Sequence, residues 1–252
     1  MGLGAIARTP ERKPPRVLVM GTEGVGKSTF AAGAPAPVFL GPEDGTGRLD
    51  VARFPLPETW GDVLDAIAAL DAEHEHKTLV IDTLDWIEPL VWKHVCKSAS
   101  VESIEDLGYG KGYVKALDEW RLFLSKLEKL RARGITVVML AHTHIKNFQN
   151  PEGDNYDRYE LKLHTKAGGL LKEWCDAVLF ANYETVLAQD KRTNRFRGFD
   201  TGARLLHTTR QAAYDAKNRY DLPQTLPLRW DDFASAIEKR ESAAPAELRA
   251  AI

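Results

Sequence analysis

Short apolar runs alternate along most of this chain with longer stretches whose apolar residues recur every three or four positions. Residues 16–20 (RVLVM), Pro37–Leu40 (PVFL), Thr78–Ile81 (TLVI) and residues 135–141 (ITVVMLA) have the length and β-branching of buried strands. Lys27–Ala32 opens a helix, and residues 60–73 carry Val63, Leu64, Ile67 and Leu70 at helical spacing. A further helix is predicted around residues 86–97. Another spans residues 115–133, with Leu117, Trp120, Leu124, Leu127 and Leu130 on one stripe, and Gly134 stops it. This alternation predicts an α/β fold with a mainly parallel sheet flanked by helices. After Ala141 the pattern changes. Residues 142–166 are polar, and the alternation over 159–164 predicts a β-ribbon, hence a β-hairpin extension. Residues 176–183 and 205–208 read as strands, and an Ala/Glu-rich helix and tail begin near Asp231. The organisation expected is an extended basic leader over 1–15, a core over 16–230 and a C-terminal helix and tail over 231–252.

Composition adds limits more than identity. The 252 residues are 44% hydrophobic and 28% charged, enough for a sizeable core. A net charge of -2 supplies no global attraction to nucleic acid or an anionic membrane, so contact with an acidic polymer requires a local basic patch. Cys96 and Cys175 are isolated, which argues against a disulfide framework or structural zinc and for reduced thiols in a cytosol. Without an apolar signal core, or a run approaching the ~20 apolar residues of a membrane span, the protein is expected to be soluble and cytoplasmic.

The chemistry begins at Gly21-Thr22-Glu23-Gly24-Val25-Gly26-Lys27-Ser28, followed by Thr29, where a strand passes into a helix. Glycines there allow the backbone to wrap a phosphate with its amides turned inward, and the helix adds the positive end of its dipole. Lys27 is placed to reach the β- and γ-phosphates, and the Ser28 hydroxyl to ligate Mg²⁺. Asp82, ending an apolar strand, is the expected second anchor of that ion. Asp85 reads as a helix-start residue. The cofactors expected are ATP and Mg²⁺.

With those residues in place, the chain resembles the RecA-like P-loop ATPases, in particular the small phage-encoded (Sak-type) RecA-core proteins of single-strand annealing and recombination. The resemblance covers roughly residues 16–230. It implies a catalytic glutamate just beyond the second strand, matched by Glu43 in Phe39-Leu-Gly-Pro-Glu43-Asp44-Gly45, with Asp44 as the alternative. It implies a γ-phosphate sensor, usually glutamine, at the position of His142 in Leu140-Ala-His142-Thr-His144. A zinc reading of the two histidines lacks a third ligand at metal spacing. Ala216-Lys217-Asn218-Arg219 matches a segment that reaches into a neighbour's ATP site, which implies a homo-oligomer, filament or ring, with Lys217 and Arg219 acting in trans.

The same resemblance implies single-stranded DNA on two loops. Their counterparts hold Tyr109, Lys111 and Tyr113, with Lys115, in residues 107–115. The second, residues 146–166, holds Lys146, Phe148, Lys162 and Lys166, with Arg158, diluted by Glu152, Asp154, Asp157 and Glu160. Aromatics among cations suit base stacking with phosphate neutralisation. The function implied is Mg-ATP-dependent binding of single-stranded DNA in recombination or annealing, in a bacterial cell, encoded by a phage or prophage, with a single-strand-binding protein as a further partner. Two other classes remain. One is a motor or loader ATPase of replication or packaging acting through a protein. The other is a small-molecule kinase using Arg192, Arg195 and Arg197 as a lid.

Overall fold

The computed structural model describes residues 13–43, 47–190 and 195–250. The leader through Arg12, Asp44 and Arg192 lie outside the described residues, as do the side chains of Arg195 and Arg197.

The buried runs became strands where their alternation could feed two cores at once. In β1 (Arg16–Gly21), Leu18 and Met20 face one helical layer while Val17 and Val19 face the other. The same division holds in β4 (Thr78–Ile81) and β5 (Thr136–Phe148), where Leu79, Ile81, Val137 and Met139 take the first side and Val80, Val138 and Leu140 the second. A strand apolar on both faces belongs in the middle of a covered parallel sheet. Among the described residues ten strands join in one sheet. Its path also takes in β2 (Pro37–Leu40), β3 (Ala52–Arg53), β7 (Ala177–Asp190), β8 (Arg195–His207) and β10 (Thr225–Pro227), in the order β10-β8-β7-β1-β5-β4-β2-β3. From β3 to β7 all pairings are parallel, and β8 and β10 add antiparallel strands.

On the first face lie α2 (Trp60–Ala69), α3 (Leu84–Ala99), α4 (Lys111–Ala132) and α5 (Thr165–Trp174). Thr59 starts α2 with a capping box, its hydroxyl accepting from the Asp62 amide while Asp62 accepts from the Thr59 amide. Trp60, Trp120 and Phe123 pack together beneath this layer, Trp120 edge-on to the other two rings, each almost fully buried and worth about 3 kcal/mol as transferred apolar surface. The second face is covered by α1 (Lys27–Ala32) and α6 (Trp230–Ala250), where Phe30 meets Trp230 and Phe233. No helix among the described residues is long and apolar enough to cross a membrane.

Two features depart from the sequence expectation. β5 does not stop at Ala141 but runs on to Phe148, where it pairs antiparallel with β6 (Tyr156–Leu161) as a two-stranded ribbon. The ribbon itself is as expected, but it is a continuation of the central strand. The first of the two expected DNA loops, residues 107–115, is a loop only as far as Gly110. Lys111 starts α4, because Gly108, Tyr109 and Gly110 all adopt positive φ and complete the turn before it.

The join between α3 and the base of the ribbon rests on a buried carboxyl. Both oxygens of Glu88 accept from the His164 amide at 3.0–3.1 Å, immediately before α5. Burial pushes the Glu88 pKa up from 4.5 to about 7, against the stabilising effect of that amide. The folded chain therefore holds this proton more tightly than the unfolded chain. The associated stability is fully present below pH ~4.5 and is lost as pH rises towards 7, by at most about 3 kcal/mol. Thermal unfolding from pH 5 to 8 should show wild-type stability falling relative to Glu88→Gln, with the gap closing at acid pH; parallel curves would contradict the shift.

Candidate nucleotide site

β1, β5 and β4 set the floor of the site by register alone. Gly21, the last residue of β1, lies opposite His142 in β5, and β5 lies beside β4, which ends one residue before Asp82. The phosphate loop, the His142 ring and the Asp82 carboxylate thus meet at the carboxyl edge of the sheet, where open α/β folds bind ligands.

The loop conformation follows from its glycines. Gly24 and Gly26 have φ of 73° and 105°, a region that side chains disfavour, and Gly26 serves as N-cap of α1. Gly21 is needed for another reason: a Cβ there would run into the carbonyl oxygen of Ala181 on β7. Val25 is wholly buried in the second core and anchors the loop from below. Glu23 is exposed and faces Lys162 at 3.8 Å, a surface pair worth little. Lys27 is buried, and its ammonium donates to the carbonyls of Gly21 at 3.1 Å and Thr22 at 2.9 Å. Burial holds it below the usual lysine range, opposed by Asp82, Asp85 and Glu43.

The Ser28 hydroxyl donates to Asp82 Oδ2 at 2.7 Å. Burial raises the Asp82 carboxyl above the ordinary aspartate value, with Ser28 favouring its ionised form and Glu43 opposing it. A hydroxyl and a carboxylate already converging beside a phosphate loop are the hard oxygen donors a small divalent cation takes, so the residues fit such an ion. The cavity, about 320 Å³, is lined by Gly24, Gly26, Lys27, Ser28, Thr29, Glu43, Arg48, Leu49, Asp82, Thr83 and His142. Thr83 donates towards Glu43 at 3.5 Å, so this helix-capping residue makes no side-chain cap and instead faces the glutamate.

Four contacts were not legible in the sequence. Arg48 reaches the cavity from beyond the second strand. On the outer side of the loop, the Tyr183 hydroxyl donates to the Gly24 carbonyl at 3.1 Å and Arg204 to that of Val25 at 3.4 Å. Both come from the β7–β8 hairpin. Asp85 is more than a helix-start residue: its carboxylate is buried and bonded to the amide and to Nδ1 of His142, each at 2.9 Å. Burial alone would raise Asp85, but the His142 bonds outweigh it and hold the carboxyl below the ordinary aspartate range.

The other expected residues lie elsewhere. Lys217 is in β9 (Lys217–Asn218), opposite Val178, at the amino edge of the sheet. Its ammonium donates to the carbonyls of Lys172 and Glu173 at the end of α5, and Arg219 pairs with Asp176 at 3.2 Å. The stretch of β7 from Val178 to Ala181 alone puts about 10 Å between this segment and the chain's own loop. Of the first DNA segment, Tyr109 is fully exposed and Lys111 is the first residue of α4. Tyr113 belongs to α4, stacks on His164 at 4.2 Å and donates to Glu105, so the expectation of an open aromatic loop is corrected here. Lys146, Lys162 and Lys166 are exposed. Phe148 lies against Tyr156 at 5.3 Å and under the Arg158 guanidinium at 5.0 Å.

A glycine loop entering a helix from a parallel sheet, with its serine bonded to the acid at the end of a neighbouring strand, defines a P-loop nucleotide triphosphatase. Residues 13–220 match the family described as AAA domain, and the chain belongs to that family. It is a P-loop ATPase, nucleotide-binding with a divalent metal. No curated protein matches the chain.

Lys27→Ala should weaken triphosphate binding on the order of 100-fold through loss of its charge-assisted bonds, measured by calorimetry. In wild type, chelating divalent cations should lower triphosphate affinity. Asp82→Asn should lose most of that sensitivity, and an unchanged response to the chelator would remove Asp82 from the metal site.

Proposed function

We propose that this ATPase uses Mg-ATP to bind single-stranded DNA for homologous recombination or strand annealing, as an oligomer with ATP at subunit interfaces. The observation that carries this reading is a cavity of about 580 Å³ between the β5–β6 ribbon and α5, lined by His144, Lys146, Phe148, Arg158 and Lys172 among others. Cations around an aromatic ring suit a strand whose phosphates need neutralising and whose bases stack. Glu160 and Asp215 offset part of the charge through Arg158 and Lys172. The ribbon continues the strand that carries His142, which gives nucleotide state a direct path to that cavity.

In the proposed reaction Lys27 and the loop amides hold the β- and γ-phosphates, and Ser28 with Asp82 hold the Mg²⁺, which neutralises phosphate charge when bound. Glu43 accepts a proton from the water whose oxygen attacks the γ-phosphorus, as the bond to the bridging oxygen breaks. His142 donates to the γ-phosphate. Lys217 and Arg219 face away from their own loop, so any part they take in the reaction is in a neighbour's site, as the resemblance to RecA-like proteins implies. That likeness to the phage-encoded annealing proteins also supports a bacterial host and a single-strand-binding partner.

Glu43→Gln should bind ATP within about 3-fold of wild type while hydrolysis falls by 100-fold or more. ATP turnover at low salt should rise with single-stranded DNA, and Phe148→Ala should weaken that DNA's binding at least 5-fold. A nucleotide-competent protein indifferent to DNA would instead point to a loader or motor acting through a protein partner. Phosphate transfer to a small acceptor would point to a kinase.

A further inference from the structure

The Asp85 carboxylate grips one residue at two points. Oδ1 accepts from the His142 backbone amide at 2.9 Å and Oδ2 meets the ring Nδ1 at 2.9 Å. Both side chains are almost fully enclosed, at 4% and 9% exposure; the carboxylate cannot turn without loosening both contacts, and the ring cannot turn without losing the one at Nδ1. With Nδ1 turned to α3, the opposite ring nitrogen is the one left for the cavity that His142 lines beside Lys27, Ser28, Glu43 and Asp82. A neutral imidazole that donates from Nδ1 has only an acceptor at Nε2, and an acceptor repels a phosphate oxygen. With a carboxylate on Nδ1 and a phosphate oxygen at Nε2, the ring bonds to both acceptors only when it carries a hydrogen on each nitrogen, and its Nε2–H is then a charged donor. A glutamine sensor needs no such partner, because its amide always carries donor hydrogens.

We infer that Asp85 is a positioning residue that makes His142 a γ-phosphate sensor, by fixing the ring's direction and by occupying Nδ1 so that Nε2 faces the nucleotide. The inference rests on the sensor role proposed for His142 and adds the residue that makes it work. His142 is tied on a third side as well, since its carbonyl accepts from the Lys162 amide at 2.9 Å. The ring thus sits on a backbone held by α3 and by the ribbon together.

The test compares Kd values for ADP and for the non-hydrolysable triphosphate AMP-PNP, both with Mg²⁺. Wild type should prefer AMP-PNP. His142→Ala should cut that preference about 10-fold, the scale of one charge-assisted hydrogen bond. Asp85→Asn keeps an acceptor for the His142 amide but turns an amide donor to Nδ1, which leaves Nε2–H on a neutral ring, so it should cut the preference by less than His142→Ala does, leaving ADP affinity within about 3-fold. In the double variant the losses should not add. A preference that survives His142→Ala, or is absent from wild type, removes the sensor. If His142→Ala lowers it and Asp85→Asn does not, the sensor stands and the role of Asp85 falls. An equal loss for both nucleotides, or a further loss in the double variant, gives Asp85 a structural role instead. Imidazole ¹⁵N spectra of the unmutated protein provide a check independent of whether the variants fold. With AMP-PNP bound both His142 nitrogens should be protonated, and a bare Nδ1 or Nε2 would overturn the inference.

Discussion

The position of β5, parallel and hydrogen-bonded between β1 and β4, is the constraint on which the other features of the site depend. Parallel ladders bring neighbouring residues into level, so the end of β1 comes to lie beside His142 and the end of β4 close behind. Once those strands are in register, Ser28 falls within hydrogen-bond distance of Asp82 although 54 residues separate them. The register is enforced by burial on both faces, since a slip of one residue would exchange the sets of side chains feeding the two cores.

The same continuity carries the sheet beyond its own edge. β5 passes the level of the phosphate loop and becomes half of the β5–β6 ribbon, while β7 passes it on the other side and becomes half of the β7–β8 hairpin. The phosphate loop lies between these projections. Tyr183 and Arg204 occupy loop carbonyls from outside, and Lys27 occupies two more from within. Loop amides are thereby left to an incoming phosphate, while the carbonyls that would repel it are engaged. At the opposite edge, Arg16, Arg131 and Arg219 converge on Asp176, tying β1, α4 and the β9 segment together. This cluster holds the carboxyl below its ordinary range despite its burial.

Acidic groups in the site are differentiated by their neighbours. Asp82 is raised by burial and balanced by Ser28, whereas Asp85, three residues on, is held ionised by His142. Glu88, one helical turn further, has only a backbone amide to offset its burial and is pushed up to about 7. One short stretch of chain therefore holds three buried carboxyls in different electrostatic states, each set by what the fold brings opposite.

Much of this molecule is written locally. The strands at Pro37–Leu40 and Thr78–Ile81 and the helix at Lys27–Ala32 follow from apolar runs and from the loop glycines, since period and backbone freedom are properties of neighbouring residues. The pairing of Ser28 with Asp82 was legible because a phosphate loop demands such an acid. Asp85 was not, because a buried aspartate bonded to a histidine 57 residues away looks in sequence like any aspartate opening a helix. Nor was the length of β5 legible, since its outer half is polar and owes its extension to β6. For Tyr113, aromatic and flanked by lysine and glycine, composition suggested an exposed loop, while packing on His164 decided a helix. The sequence by itself determined the α/β alternation, the loop and the acid that accompanies it. Which side chains meet across the sheet edge was decided only by strand order and register, because those contacts join residues that no local pattern relates.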